Sequence, residues 1–242
     1  MNVTTRASVI EVREVSPSLF LLTMRPEYLR SWDPGMFVQL TLEQTDWSRP
    51  WPLSKPFSLA SWGGSHIRLL IRREGRFTSR LIEKAHAGSQ LTIKYPFGDL
   101  VLDRAVKYCL VAGGAGVSPF LSFLDYYVER RLSTPVVLIH SVRRHEELVS
   151  EFYWRDLPGS VRVCPWVTSE HVQGDPRRHL DIIDALQVTG VRDNSWHFVV
   201  SGPPQFTRTY VRSLSDAGFG NVQIESWQGT VDPPDSFAPK VK

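Results

Sequence analysis

Hydrophobic and polar positions change rhythm once along this chain, close to residue 104. Before that point, short runs rich in β-branched, aromatic and aliphatic residues are separated by Pro, Gly, Ser or Asp. Val9–Val15, Leu19–Met24, Met36–Leu42, Phe57–Ala60, Ile67–Arg73 and Leu91–Lys94 read as strands. In Met36–Leu42 the polar Gln39 and Thr41 alternate with apolar neighbours, the pattern of a strand with one buried face. Only Phe77–His86 has a helical pattern. Short strands at roughly ten-residue spacing predict a small antiparallel β-barrel or sandwich.

Beyond residue 104, strands alternate with helices. Tyr108–Ala112, Val136–His140, Val161–Trp166, Trp196–Ser201 and Val222–Glu225 are the strands. Helical patterns cover Pro119–Arg131, a segment from about His145, Leu180–Leu186 and Gln205–Ala217. This alternation predicts a five-stranded parallel sheet, doubly wound, with helices on both faces. The boundary falls at Asp103–Val106, so the predicted domains are 1–104 and 105–242.

Composition narrows the function classes. The 242 residues include 28 Lys plus Arg against 25 Asp plus Glu, a formal charge of +3. The basic residues are scattered rather than blocked, which excludes a nucleic-acid partner. The uncharged stretch that begins at Tyr108 contains Gly113, Gly114, Gly116 and Pro119 and is too short for a membrane span. Met1–Arg6 has no apolar leader core, so a cytoplasmic protein without membrane insertion is expected. Cys109 and Cys164, the two cysteines, lie in apolar runs and read as buried thiols. They are too few to hold an iron–sulfur cluster or a four-cysteine zinc site. His145-Glu146-Glu147 lacks the second histidine of a zinc-binding helix, so no metal site is expected.

Three segments carry candidate chemistry. The first is Val111-Ala112-Gly113-Gly114-Ala115-Gly116-Val117-Ser118-Pro119, a buried strand that runs through glycines into a helix. Glycines let an anion approach the backbone amides, and the helix dipole favours negative charge there. Ser118 suits an N-cap and Pro119 the first helical position. The segment is no Walker A loop, and Pro119 spoils a Gly-x-Gly-x-x-Gly; a nucleotide turn and a plain tight connection both fit it. The second is Lys55-Pro56-Phe57-Ser58, a cation, an aromatic and a hydroxyl on one strand, which also reads as an edge strand with Phe57 in the core. The third is Arg72-Arg73-Glu74-Gly75-Arg76-Phe77-Thr78, where a strand ends and a helix begins among basic residues. A solvated basic face is its alternative.

Taken together and in this order, these segments resemble the ferredoxin–NADP reductase superfamily over nearly the whole chain. Lys55-Pro56-Phe57-Ser58 is similar to the family's Arg-x-Tyr/Phe-Ser/Thr flavin motif, and Gly75-Arg76-Phe77-Thr78 to its Gly-x-x-Ser/Thr. Tyr95-Pro96-Phe97-Gly98 resembles Gly-Pro-Tyr/Phe-Gly. Gly114-Ala115-Gly116-Val117-Ser118-Pro119 resembles Gly-Thr-Gly-x-x-Pro. Ser201-Gly202-Pro203-Pro204 is similar to Cys-Gly-Pro-Pro, and Glu225-Ser226-Trp227 to a terminal Glu-x-aromatic.

The resemblance implies a flavin barrel, with FAD rather than FMN, followed by a nicotinamide-nucleotide domain. It implies hydride transfer from NADH or NADPH to the flavin, and electron delivery to a separate carrier protein or oxygenase component. Lys55, Pro56, Phe57, Ser58, Arg72, Gly75, Thr78, Phe97 and Gly98 would hold the flavin. Gly114, Gly116, Ser118, Pro119, Gly202 and Pro203 would shape the nicotinamide-nucleotide site. Ser58, Ser201 and Glu225 would border the reacting rings, with Trp227 guarding the flavin face. Lys55 replaces the family's Arg and offers a point charge where Arg offers a fork. Ser201 replaces the usual Cys. Glu170 would repel a 2′-phosphate, while Arg177 and Arg178 could reverse that, so both nucleotides stay open with a lean to NADH. Two other readings remain: an electron-transfer subunit of a permanent complex, and a non-catalytic nucleotide-binding protein. Oligomeric state is undetermined.

Overall fold

The computed structural model describes residues 2–43, 50–100, 102–149, 154, 156–169 and 182–225. Two sheets organise them. The first contains β1 (Val3–Ser16), β2 (Leu19–Pro26), β3 (Phe37–Thr41), β4 (Ser54–Ser58), β5 (Ile67–Arg72) and β6 (Gln90–Phe97), in the order β4-β3-β6-β1-β2-β5. All neighbours are antiparallel. A bridge between Leu59 and Leu69 brings the two edges together and closes the sheet on itself. β1 is long because two register shifts, at Val9/Glu11 and Glu14/Ser16, bend it enough to serve both β6 and β2. Inward positions Ala7, Leu22, Met24, Val38, Leu40, Ile71, Ile93 and Tyr95 fill the interior. Helix α1 (Gly75–Lys84) lays Leu81 on the same core.

The second sheet has β7 (Lys107–Gly113), β8 (Val136–Val142), β9 (Val161–Val167), β10 (Trp196–Ser201) and β11 (Val222–Glu225). Its order is β11-β10-β7-β8-β9 and every pairing is parallel. Helices α2 (Ser118–Glu129), α3 (Ile182–Thr189) and α4 (Pro204–Asp216) pack against it. Strands covered on both faces must be apolar throughout, and all seven residues of β8 are buried. Strand order reverses between β7 and β10. In such sheets, ligands bind outside the carboxyl ends of the strands at that point.

The sequence pattern locates every strand, with β4 displaced. It runs Ser54–Ser58 rather than Phe57–Ala60, because it is an edge strand and tolerates Pro56. The helix expected from His145 is a single 3-10 turn, His145–Glu147, before the chain leaves the described region at residue 150. Helix α1 begins at Gly75, two residues before the predicted start. Cys109 and Cys164 are buried on β7 and β9 with β8 between them, too far apart for a disulfide. Among the described residues no helix is long and apolar enough to cross a membrane.

The sheets share one apolar seam. Leu19, Leu21, Ala60, Leu70, Leu100 and Leu102 pack in the same cluster as Tyr108, Leu110, Phe120, Phe123 and Tyr127. Polar stitches reinforce it. The Ser118 hydroxyl donates to the Ser58 carbonyl at 3.0 Å, and Ser122 to the Ser61 carbonyl at 3.0 Å. Asp125 of α2 accepts from the Arg68 guanidinium at 2.5 Å and from the Trp62 backbone N–H at 3.2 Å. Burial raises the Asp125 carboxyl above its ordinary value, with Arg68 pulling the other way. Asp125→Ala leaves both donors without their acceptor. It should cost about 1–3 kcal/mol in urea denaturation, through the lost charge-assisted bonds.

Candidate active site

A cavity of about 210 Å³ opens where the two sheets meet. Lys55, Pro56, Phe57, Ser58, Leu70, Arg72, Glu74 and Thr78 line it from the first sheet and α1, and Ala115 and Ser118 from the second. β4 contributes four consecutive residues because the cavity lies at its end, where the chain turns toward Leu59. Phe57 is buried in the barrel core, its ring 6.4 Å from Phe77, and it still forms one wall. Phe57 thus belongs to the barrel core and lines the cavity as well. The Lys55 ammonium sits over the Phe77 ring at 5.8 Å.

Ser118 is not an N-cap. Val117 holds that position without a side-chain bond, and Ser118 uses its hydroxyl to tie α2 to the Ser58 carbonyl. Thr78 is likewise committed: its Oγ1 donates to the Glu74 carbonyl at 2.6 Å and accepts from the Glu74 N–H at 2.8 Å. Thr78 thereby braces the start of α1, leaving its first-turn amides as the group that could meet an anion. Phe97 and Gly98 are not among the lining residues. Phe37 pairs with Ser58 on one side and Phe97 on the other, and the Phe37 and Phe97 rings stack at 5.6 Å. The Phe97–Gly98 segment therefore lies one strand behind the cavity.

On the second sheet, β7 runs into a 3-10 turn, Gly114–Val117, and then directly into α2. Gly114 has φ +54°. A Cβ on Gly116 would stand 2.5 Å from the Ser201 carbonyl oxygen, so the turn and the end of β10 touch backbone to backbone. Ser201 pairs with Ala112 on one side and Glu225 on the other. It is fully buried, and its hydroxyl has no hydrogen-bond partner among the described residues. Such an orphan usually marks a missing ligand or water. Burial, with the charge of Asp99, pushes the Glu225 carboxyl up to about 7. The structure thus brings Ser201, Gly202 and Glu225 to the carboxyl edge beside Gly114 and Gly116, with Pro203 next in the chain. Trp227, Glu170, Arg177 and Arg178 lie outside the described residues.

Two groups escaped sequence reasoning. His140, on β8, is buried, and its Nε2 lies 3.1 Å from the Gly114 carbonyl. Burial lowers it to about 4, assisted by the charge of Arg72. It is therefore neutral at pH 7, and since a carbonyl only accepts, Nε2 carries the proton. Glu147, in the turn after β8, is buried and pairs with Arg72 at 3.8 Å and Arg144 at 3.3 Å. Neither residue stands in a motif; only the parallel pairing of β8 with β7 places them at the turn.

The site is suited to a flat ring with a diphosphate. It offers the Phe57 wall, two cations, first-turn amides at α1 and a glycine turn open to the backbone. Residues 110–212 match the family described as the oxidoreductase NAD-binding domain. The 2-halobenzoate 1,2-dioxygenase electron transfer component of Burkholderia cepacia is 31% identical over 135 residues, 54% of this chain and 38% of that protein. The probable dihydroorotate dehydrogenase B electron transfer subunit of Methanopyrus kandleri is 28% identical over 132 residues, 54% of this chain and 47% of that one. The chain spans about half the length of the curated relatives it matches or less.

Among solved structures, the ferredoxin reductase in carbazole 1,9a-dioxygenase superposes with a TM-score of 0.80 at 20% identity, covering 93% of this chain and 69% of that one. A ferredoxin NADP+ reductase from Neisseria gonorrhoeae with bound FAD and NADP gives 0.74 at 19%, covering 92% and 98%. The fold is the one these two ferredoxin reductases share, and most of its second half is similar to the oxidoreductase NAD-binding domain.

Gly116→Ala should destabilise by about 1–3 kcal/mol or more in urea, because the clash is with backbone that cannot rotate away. A second expectation concerns pH. The folded-state value of His140 lies below its unfolded value, so its contribution is complete above about 6.5 and is lost as pH falls toward about 4. The loss is on the order of 3 kcal/mol. Glu225 acts with the opposite sign, folded-state stability rising as pH falls from about 7 toward 4.5. His140→Gln keeps an N–H donor and removes the titration. The difference between its stability curve and the wild type's, read by denaturation at several pH values, isolates the histidine.

Proposed function

We propose that this chain is a flavin-dependent NAD(P)H oxidoreductase, with FAD in the cavity, that passes electrons to a separate carrier or oxygenase component. The observation that carries the reading is the meeting at one seam of the Lys55–Ser58 and Arg72 cavity with the glycine turn and the partnerless Ser201 hydroxyl. The names and bound cofactors of the similar proteins support it. Bound flavin supplies the capacity to accept a hydride and release single electrons.

The protein's part is orientation and charge. Phe57 walls the ring, and Ser58, tied through its carbonyl to Ser118, is held at the ring's edge. Lys55 and the α1 amides from Gly75 onward offset the flavin diphosphate, Thr78 by bracing that turn, while Arg72 reaches from the cavity wall to the glycine turn. Phe97 and Gly98 support the rim through Phe37. Gly114, Gly116, Pro119, Gly202 and Pro203 keep side chains away from the nicotinamide nucleotide's path, and Ser201 and Glu225 border its ring. Trp227 completes the reading as a cover on the flavin face. Residues 1–104 form the flavin unit and 105–242 the nucleotide unit. The cytoplasm is the compartment that fits two buried thiols.

A second reading, a subunit of a permanent complex, is favoured by the similarity to a dihydroorotate dehydrogenase electron transfer subunit. Co-purification of a stoichiometric second chain from the native host would support it over the first.

The purified protein should show flavin absorbance bands that bleach on anaerobic addition of NADH or NADPH. A colourless protein that takes up neither FAD nor FMN would end the enzyme reading. Ser58→Ala should retain flavin and slow its reduction roughly 10- to 100-fold in stopped flow, the scale of one lost transition-state contact. Lys55→Arg should tighten flavin retention on dialysis, a fork replacing a point charge.

A further inference from the structure

Arg72 belongs by chain to the first sheet, as the last residue of β5, yet its guanidinium lies over the second. A Cβ built on Gly114 would be 3.0 Å from Arg72 Nη2. Three groups fix that arrangement. His140 donates to the Gly114 carbonyl from beneath the turn. Glu147 Oε2 faces Arg72 Nη2 at 3.8 Å. Glu147 Oε1 is in turn held by Arg144 Nε at 3.3 Å, and Arg144 Nη1 by Glu146 at 2.5 Å. Arg72 also lines the cavity. A guanidinium has five N–H donors, and a carboxylate at one edge leaves the others directed elsewhere.

We propose that Glu147 is a positioning residue: it anchors Arg72 over Gly114, so that a cation carried by one sheet completes the diphosphate site at the glycine turn of the other. This rests on the reading that the turn receives a nicotinamide dinucleotide. Glu147 does not touch the ligand. It is buried, and its charge is offset by Arg144 as well as Arg72, so it costs an incoming anion less than an unpaired carboxylate would. Without it, Arg72 keeps its charge and loses its direction. Dinucleotide affinity falls while the chemistry of the bound complex is preserved.

The test is a double-mutant cycle on the purified flavin-loaded chain, with ADP-ribose, which carries the diphosphate without the reacting ring, as the calorimetric probe. Arg72→Gln should weaken ADP-ribose roughly 10- to 100-fold, the scale of a lost charge-assisted bond. Glu147→Gln should weaken it roughly fivefold, and the double variant should be no weaker than Arg72→Gln alone, because Glu147 acts only through Arg72. With ferricyanide as acceptor, Glu147→Gln should raise KM for NADH and leave kcat unchanged. Should Glu147→Gln fail to fold, Glu147→Asp, which keeps the charge and shortens the reach, carries the cycle with the same signs. Unchanged or tighter ADP-ribose binding in the Glu147 variant, additive losses, or a fall in kcat alone would overturn the proposal. A wild-type protein that binds neither ADP-ribose nor flavin would overturn the functional reading and this inference with it.

Discussion

Gly116 and the Ser201 carbonyl approach so closely that a single methyl group would stand 2.5 Å from the oxygen. Much of the second half depends on that contact. It lets the turn after β7 lie against the end of β10, where the strand order reverses and the carboxyl ends splay apart. The turn can then pass into α2 after one 3-10 turn, which aims Ser118 and Ser122 at the first sheet. Their hydroxyls reach the carbonyls of Ser58 and Ser61, and Asp125 joins Arg68 and Trp62 on the same helix. One backbone contact within a sheet thus sets the seam between sheets.

The seam explains why the cavity has residues from both halves. A barrel end alone would present Lys55, Phe57, Ser58 and Arg72 to water. A parallel sheet alone would present its glycine turn without Arg72, and with a buried His140 that is neutral at pH 7. Docking the two brings Arg72 over Gly114, so that residues of both sheets line one cavity. Ser201, fully buried at the end of β10, has no partner for its hydroxyl among the described residues, as is also true of Ser16 at the end of β1.

Electrostatics at the site follow from burial more than from net charge. His140 is held neutral and Glu225 is held close to protonation at pH 7, both because desolvation disfavours their charged forms. The two cations that line the cavity are partly exposed: Lys55 sits over the Phe77 ring and Arg72 faces Glu147. Positive charge therefore gathers at the cavity, while the Glu225 carboxyl at the strand ends is only partly ionised at pH 7.

Local sequence determined a good deal. Strand spacing before residue 104 and strand–helix alternation after it were enough for both sheets, because the period of apolar residues reports directly which faces are buried. The order of six short motifs was enough for the fold. What local sequence could not supply were contacts set by parallel pairing and by docking. Ser118 reads as a cap and proves a stitch, because the carbonyl it binds lies 60 residues away. Thr78, expected at the flavin, engages its hydroxyl with the Glu74 backbone, because α1 begins three residues earlier at Gly75. The edge strand β4 takes its limits from pairing with β3, so Pro56 does not end it. His140 and Glu147 carry no motif at all; their roles exist only because β8 lies beside β7, and no periodicity along the chain encodes which strand becomes the neighbour.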